Sequence, residues 1–178
     1  KYAMGPRKEV GVRTIFNMLG PLTNPSGAKG QIIGVFAPQL TEVFADVLKL
    51  LGSRRAFIVH GHDGMDEMTT VSATRVSELV DGKVRTYEFD PLEFIEDYVK
   101  AEDLAGGDAT TNAAITRGVL DGEKGPCRDI VCLNAAAAIV AGGKAADIRE
   151  GWTAACESID TGKAKSALEA LVKVSGGE

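Results

Sequence analysis

The stretch "QIIGVFAPQLTEVFADVLKLLGSRRAFIVHG", Gln31 to Gly61, decides the fold. Its first part, Gln31 to Phe36, is a short apolar run with a β-branched centre bounded by turn residues, and it reads as a buried strand. Val43, Phe44, Val47, Leu48 and Leu51 then recur at helical spacing, with Thr41 in place for an N-cap and Gly52 for the residue just past the helix end. Arg55 to Gly61 is a second apolar run. Strand, helix and strand within about 30 residues make a βαβ unit, whose strands run parallel. Ligands of open α/β sheets gather beyond the carboxyl ends of the strands, so the loop after Val59 is the first place to look for chemistry.

Outward from this unit, "RVSELV" and "KVRTYEF" alternate on either side of Asp81-Gly82, a dipeptide that favours tight hairpin turns. From Asp103 on, alanine-rich helical patterns cover about 108–120, 127–141, 147–160 and 163–174, punctuated by glycines. The resulting expectation is a three-layer α/β domain: a mostly parallel sheet, helices on both faces and a small peripheral β-hairpin. Residues 1–178 read as a single domain, since no repeat, low-complexity tract or linker interrupts them.

With 178 residues, 44% of them hydrophobic, the chain can bury about 70% of its unfolded surface in one core. A net charge of -5 without any basic run argues against nucleic acid and anionic lipid as partners. Cys127, Cys132 and Cys156 share no zinc-like spacing and cannot all pair, which suits a reducing cytoplasm. No apolar run reaches about 18 residues, so no membrane span is expected.

The loop "HGHDGMDE", His60 to Glu67, holds both histidines of the chain and three acids. Zinc fits it poorly, because His60 and His62 lie two apart beside oxygen ligands only. Asp66 and Glu67 are hard carboxylates of the kind that hold Mg2+ together with substrate phosphates. On residues alone, a solvated acidic turn is the commoner outcome. "GVRTIFNMLGPLTNP", Gly11 to Pro25, begins like a short helix or strand and ends, at Gly20-Pro21 and Asn24-Pro25, like a stiff loop. Arg7 and Arg13 could grip an anion with two bonds, although solvated arginines are commoner, and Arg13 with Asn17 at i, i+4 reads first as a structural pair. The adjacent glycines of "AGGDATTNAA" could cradle phosphate, but Asp108 is more simply an N-cap. Asn134, a polar residue in the apolar "CLNAAAAIV", should bond a neighbouring element.

Taken together and in order, "RKEVGVRTIFNMLGPLTNP", "VHGHDGMDE", "LAGGDATTNAA" and "LNAAAAIVAG" closely resemble the carboxyl-terminal part of the anthranilate phosphoribosyltransferase family. The resemblance covers essentially the whole chain, and its most specific motif is R-T-x-F-N-x-L-G-P-L-x-N-P. It implies a Mg2+-dependent pentosyltransferase of tryptophan biosynthesis that joins anthranilate to the ribose of 5-phosphoribosyl-1-pyrophosphate and releases pyrophosphate. Carried over onto this sequence, Arg7 would contact the anthranilate carboxylate, Gly20 and Pro21 would line its pocket, and Asp66 and Glu67 would bind the metal. No residue is nominated as a general base. In the family a helical domain and a glycine-rich diphosphate loop lie upstream of everything present here. The chain is therefore expected to be the carboxyl-terminal portion of a longer enzyme, inactive alone, cytoplasmic, and homodimeric at full length. The "TTVSATRV" that follows the acidic pair departs from the Gly-Pro-Thr common there in the family. A pyrimidine nucleoside phosphorylase-like enzyme, or a non-catalytic binding relative of the same fold, is the alternative.

Overall fold

The computed structural model describes residues 16–176, with side chains from Met18 onward. A short helix, α1 (Phe16–Leu22), leads into β1 (Gly30–Gly34), α2 (Leu40–Leu50) and β2 (Arg55–Gly61), followed by β3 (Thr74–Val80) and β4 (Lys83–Phe89). Four helices complete the chain: α3 (Ala109–Leu120), α4 (Pro126–Ala141), α5 (Ile148–Asp160) and α6 (Lys163–Val174). The four strands form one sheet in the order β1-β2-β3-β4.

β1 and β2 pair in parallel, with Gly30 opposite Arg55 and Gly34 opposite Val59, as the βαβ reading requires. β2 with β3 and β3 with β4 are antiparallel. The α/β class with its hairpin therefore stands, but the described sheet is mixed rather than mostly parallel, and the hairpin is continuous with it. The reason lies in the connections. A parallel return needs a crossover, usually helical, whereas 62–73 contains no helix and turns the chain straight back beside β2. The later helices are followed by no further strand among the described residues.

Asp81 (φ 47°) and Gly82 (φ 75°) both sit at positive φ in the two-residue turn between β3 and β4. That is the backbone of the hairpin turn whose twist matches its strands, and it is open to Asp-Gly because few other pairs tolerate it.

Alternate residues of the strands feed two cores. Ala56 and Ile58 of β2, with Ile33, Val35 and Leu79, pack on Phe44, Ala45 and Leu48 of α2. Phe57 and Val59 face the other way, with Met68, Val76 and Phe89, onto Leu133, Ala137, Val140 and Ala141 of α4. Helices thus cover both faces, which makes three layers. The alanines of α4 bring its backbone close to its neighbours: a Cβ on Gly30 would collide with the Ala141 carbonyl, and one on Gly151 of α5 would lie 2.7 Å from the Ala136 oxygen.

Helix boundaries differ from expectation in two places. Gln39, not Thr41, precedes α2; Thr41 is buried inside the first turn and its hydroxyl donates to the Pro38 carbonyl at 2.9 Å. The helix α1 runs through Gly20-Pro21 rather than stopping there. Proline removes one amide bond at that point, and the end is secured instead by Thr23, whose N–H and hydroxyl both reach the Leu19 carbonyl, at 2.9 and 2.7 Å. Asp108 caps α3 as expected, accepting from the Thr111 N–H at 2.8 Å.

Candidate active site

β1 ends at Gly34 and β2 at Gly61, and the loop that follows β2 closes over the ends of both. His62 N–H bonds the Ala73 carbonyl at the neck of the loop (3.0 Å), and Gly61 N–H bonds the Met65 carbonyl (2.8 Å). Asp63 turns inward: its carboxylate accepts from the Thr69 hydroxyl (2.9 Å) and from the Met65 N–H (3.3 Å). Gly64 adopts φ 95°, a conformation glycine takes without strain. These local bonds make a rigid loop out of a polar sequence.

Two longer-range contacts fix the acidic pair within it. Gly34 lies flat against the backbone of Asp66, and any Cβ there would fall inside the Asp66 carbonyl. On the other side, Asn134 of α4 bonds both peptide groups of the residue after Glu67: Met68 N–H donates to Asn134 Oδ1 at 2.9 Å, and Asn134 Nδ2 donates to the Met68 carbonyl at 2.8 Å. A further bond from Nδ2 to the Ile130 carbonyl (3.0 Å) orients the amide. The Met68 side chain is 1% exposed and belongs to the α4-side core.

Asp66 and Glu67 are exposed, and neither carboxylate makes an ion pair or hydrogen bond with another described residue. Both line a cavity of about 410 Å3 whose wall is otherwise largely apolar, from Leu104, Ile115, Val119, Ile130 and Val131. The donor set fits Mg2+, which takes oxygen ligands and commonly only one or two protein carboxylates, with water and substrate phosphate completing its octahedron. Among the described residues no group of three or more His, Cys, Asp or Glu could hold a metal by itself. The remaining ligands would come from substrate and water.

The histidines have other tasks. His60 is buried, and its Nδ1 lies 2.7 Å from the Val35 carbonyl, an acceptor, so that nitrogen carries the hydrogen. It ties the end of β2 to the chain leaving β1. His62 reaches outward to Glu88 at 2.8 Å. The paired glycines of "AGGD" are occupied as well: Asn112 accepts from the Gly107 N–H (2.8 Å) and donates to the Gly107 carbonyl (3.0 Å), which takes that amide away from any phosphate.

Arg7, Arg13 and the side chain of Asn17 lie outside the described residues. Gly20 is exposed on α1, with nothing within 4 Å of a Cβ placed there. Pro21 lines a separate cavity of about 180 Å3 with Leu22, Lys29, Gln31 and Leu48. That cavity meets β1 near its amino end, at Gln31, whereas the acidic pair lies against Gly34 at its carboxyl end. The structure brings Asp66 and Glu67 together and leaves Pro21 apart from them. Gly34 was not singled out from the sequence, though a glycine inside the apolar "QIIGVF" is the signal of a close backbone approach.

Residues 1–165 match the model of the glycosyl transferase family, a/b domain. The chain belongs to this family. Among curated relatives, it is 60% identical to the anthranilate phosphoribosyltransferase of Desulfosudis oleivorans over 97% of this chain and 51% of that protein, and 58% identical to that of Syntrophobacter fumaroxidans over 97% and 51%. The anthranilate phosphoribosyltransferase structure from Thermus thermophilus superposes with a TM-score of 0.87 at 42% identity, covering 96% of this chain and 50% of that one. A Saccharomyces cerevisiae relative solved in complex with PRPP and Mg gives a TM-score of 0.78 at 31% identity, over 92% of this chain and 47% of that one. The chain thus spans about half the length of the glycosyl transferases it matches.

Proposed function

We propose that the whole protein carrying this chain is an anthranilate phosphoribosyltransferase. It transfers the phosphoribosyl group of 5-phosphoribosyl-1-pyrophosphate to the amine of anthranilate and releases pyrophosphate, a step of tryptophan biosynthesis. The observation that carries this reading is the Asp66-Glu67 pair: two exposed, unpaired carboxylates on a braced loop at the carboxyl ends of parallel strands. The 60% identity to a curated anthranilate phosphoribosyltransferase supports anthranilate as the acceptor. Residues 1–178 form the α/β portion of that enzyme, which works in the cytoplasm as a homodimer.

Asp66 and Glu67 would hold Mg2+, which would supply charge neutralisation for the departing diphosphate. The anthranilate amine is already a nucleophile, so the protein's task is to hold it in line with the anomeric carbon and to exclude competing water. Arg7 grips the anthranilate carboxylate with its planar fork of donors, and Gly20-Pro21 shape the wall of the acceptor channel. The new bond joins the amine nitrogen to the ribose anomeric carbon, the bond to the diphosphate oxygen breaks, and the amine sheds one proton. No side chain is assigned to take that proton.

The test is the fluorescence of anthranilate mixed with the whole protein. Decay that requires both 5-phosphoribosyl-1-pyrophosphate and Mg2+ supports the reading. Stable fluorescence, with phosphorolysis of thymidine or uridine instead, assigns the site to a nucleoside phosphorylase.

A further inference from the structure

We infer that Asn134 is a positioning residue for the metal site, holding the Asp66-Glu67 dipeptide in register through the backbone of Met68. This rests on the reading that the pair binds Mg2+. Asn134 sits on α4, remote in sequence from the loop, and touches neither carboxylate among the described contacts; its side-chain amide instead pairs with the N–H and the carbonyl of Met68 as a strand neighbour would. The third bond, to Ile130, leaves that amide one orientation. Met68 cannot shift to follow a different loop path, because its side chain fills the core between the sheet and α4.

The pairing matters because of what the carboxylates lack. Asp66 and Glu67 have no cationic or hydrogen-bonding partner among the described residues, so no side-chain contact holds the two like charges in place. Their position is set through the chain on either side of them: the Met65 bonds to Gly61 and Asp63, Gly34 against the Asp66 backbone, and the Asn134 amide on the Met68 peptide groups. The helix that supplies Asn134 also supplies Ile130 and Val131 to the wall of the adjoining cavity, so α4 fixes the distance between wall and acids. A hydrophobic residue at 134 would leave the Met68 N–H and carbonyl unsatisfied at a part-buried site, and the loop would move to rehydrate them.

The experiment compares Asn134→Ala with Val140→Ala, a buried apolar truncation on the same helix that removes no hydrogen bond to the loop. In the whole protein, Mn2+ alone is titrated and the free ion followed by electron paramagnetic resonance, while thermal melting is recorded without metal. Both variants should melt lower. Asn134→Ala should also bind Mn2+ about tenfold more weakly, the lower end of the range of about 10–100-fold seen when groups that orient metal ligands are removed. Val140→Ala should bind it as the parent does. Equal Mn2+ affinity in Asn134→Ala and Val140→Ala would overturn the inference and leave the metal site standing. Unchanged Mn2+ binding after Asp66→Asn with Glu67→Gln would overturn the metal site itself, and the role of Asn134 with it.

Discussion

Replacing Gly34 by alanine adds one methyl group at the point where the end of β1 presses on the acidic loop. The added Cβ would overlap the Asp66 carbonyl and lie 3.0 Å from the Asp66 Cβ. Gly34 does not have positive φ, so alanine meets no backbone strain there, and the whole penalty is contact. A side chain in the way could turn aside, but a carbonyl braced by neighbouring peptide bonds cannot. The cost should therefore fall at the upper end of the overpacking range, about 3 kcal/mol, which for a domain of this size lowers Tm by about 6–12 °C. Gly30→Ala is the matched control: its Cβ would collide with the Ala141 carbonyl at the opposite end of the same strand, far from the acids. Both variants should melt lower by similar amounts in differential scanning calorimetry. Only Gly34→Ala should raise the Mg2+ concentration that gives half-maximal activity. A Gly34→Ala protein that melts within about 1 °C of the parent, or a Mg2+ response that shifts equally in both variants, would refute the claim that Gly34 seats the acidic pair.

Changing Asp66 and Glu67 together to their amides should weaken the Mg2+ dependence of turnover with little change in Tm, since neither carboxylate has a partner to lose; an unaltered metal requirement removes the pair from the mechanism. Arg7→Ala should raise the anthranilate KM more than that for the diphosphate substrate, and steady-state kinetics showing the reverse would remove Arg7 from the acceptor site. The Arg128 hydrogen bond holds the Asp160 carboxyl below the usual carboxylate range. Its folded value is thus lower than its unfolded one, so its contribution to stability is complete above pH of about 4 and is lost as pH falls through the folded value. Asp160→Asn should flatten that part of the acid limb in melts taken from neutral pH downward, and an identical limb would discount the pair. Burial first, and Cys156 second, push the Cys132 thiol up to about 12, so iodoacetamide should leave it unmodified until the protein unfolds; rapid labelling of Cys132 in the native state would contradict its burial.

Elements whose cause is local were legible in the chain itself. The period of Val43, Phe44, Val47 and Leu48 marks α2, the Asp81-Gly82 pair builds its own turn, and Asp108 caps α3 through a residue three positions away. The acidic pair was singled out by the family resemblance, since on its residues alone the loop reads first as a solvated turn. What positions the two carboxylates was not legible. Nothing local to Asn134 says that its amide will meet Met68, 66 residues away, and nothing local to Gly34 says which backbone it must admit. The direction of β3 was equally hidden, because parallel or antiparallel pairing depends on how 62–73 traverses the sheet and not on the composition of either strand. Local hydrogen bonding and periodicity thus determine the segments. Contacts between segments distant in sequence, Gly34 against the Asp66 backbone and the Asn134 amide on Met68, decide where the acids stand.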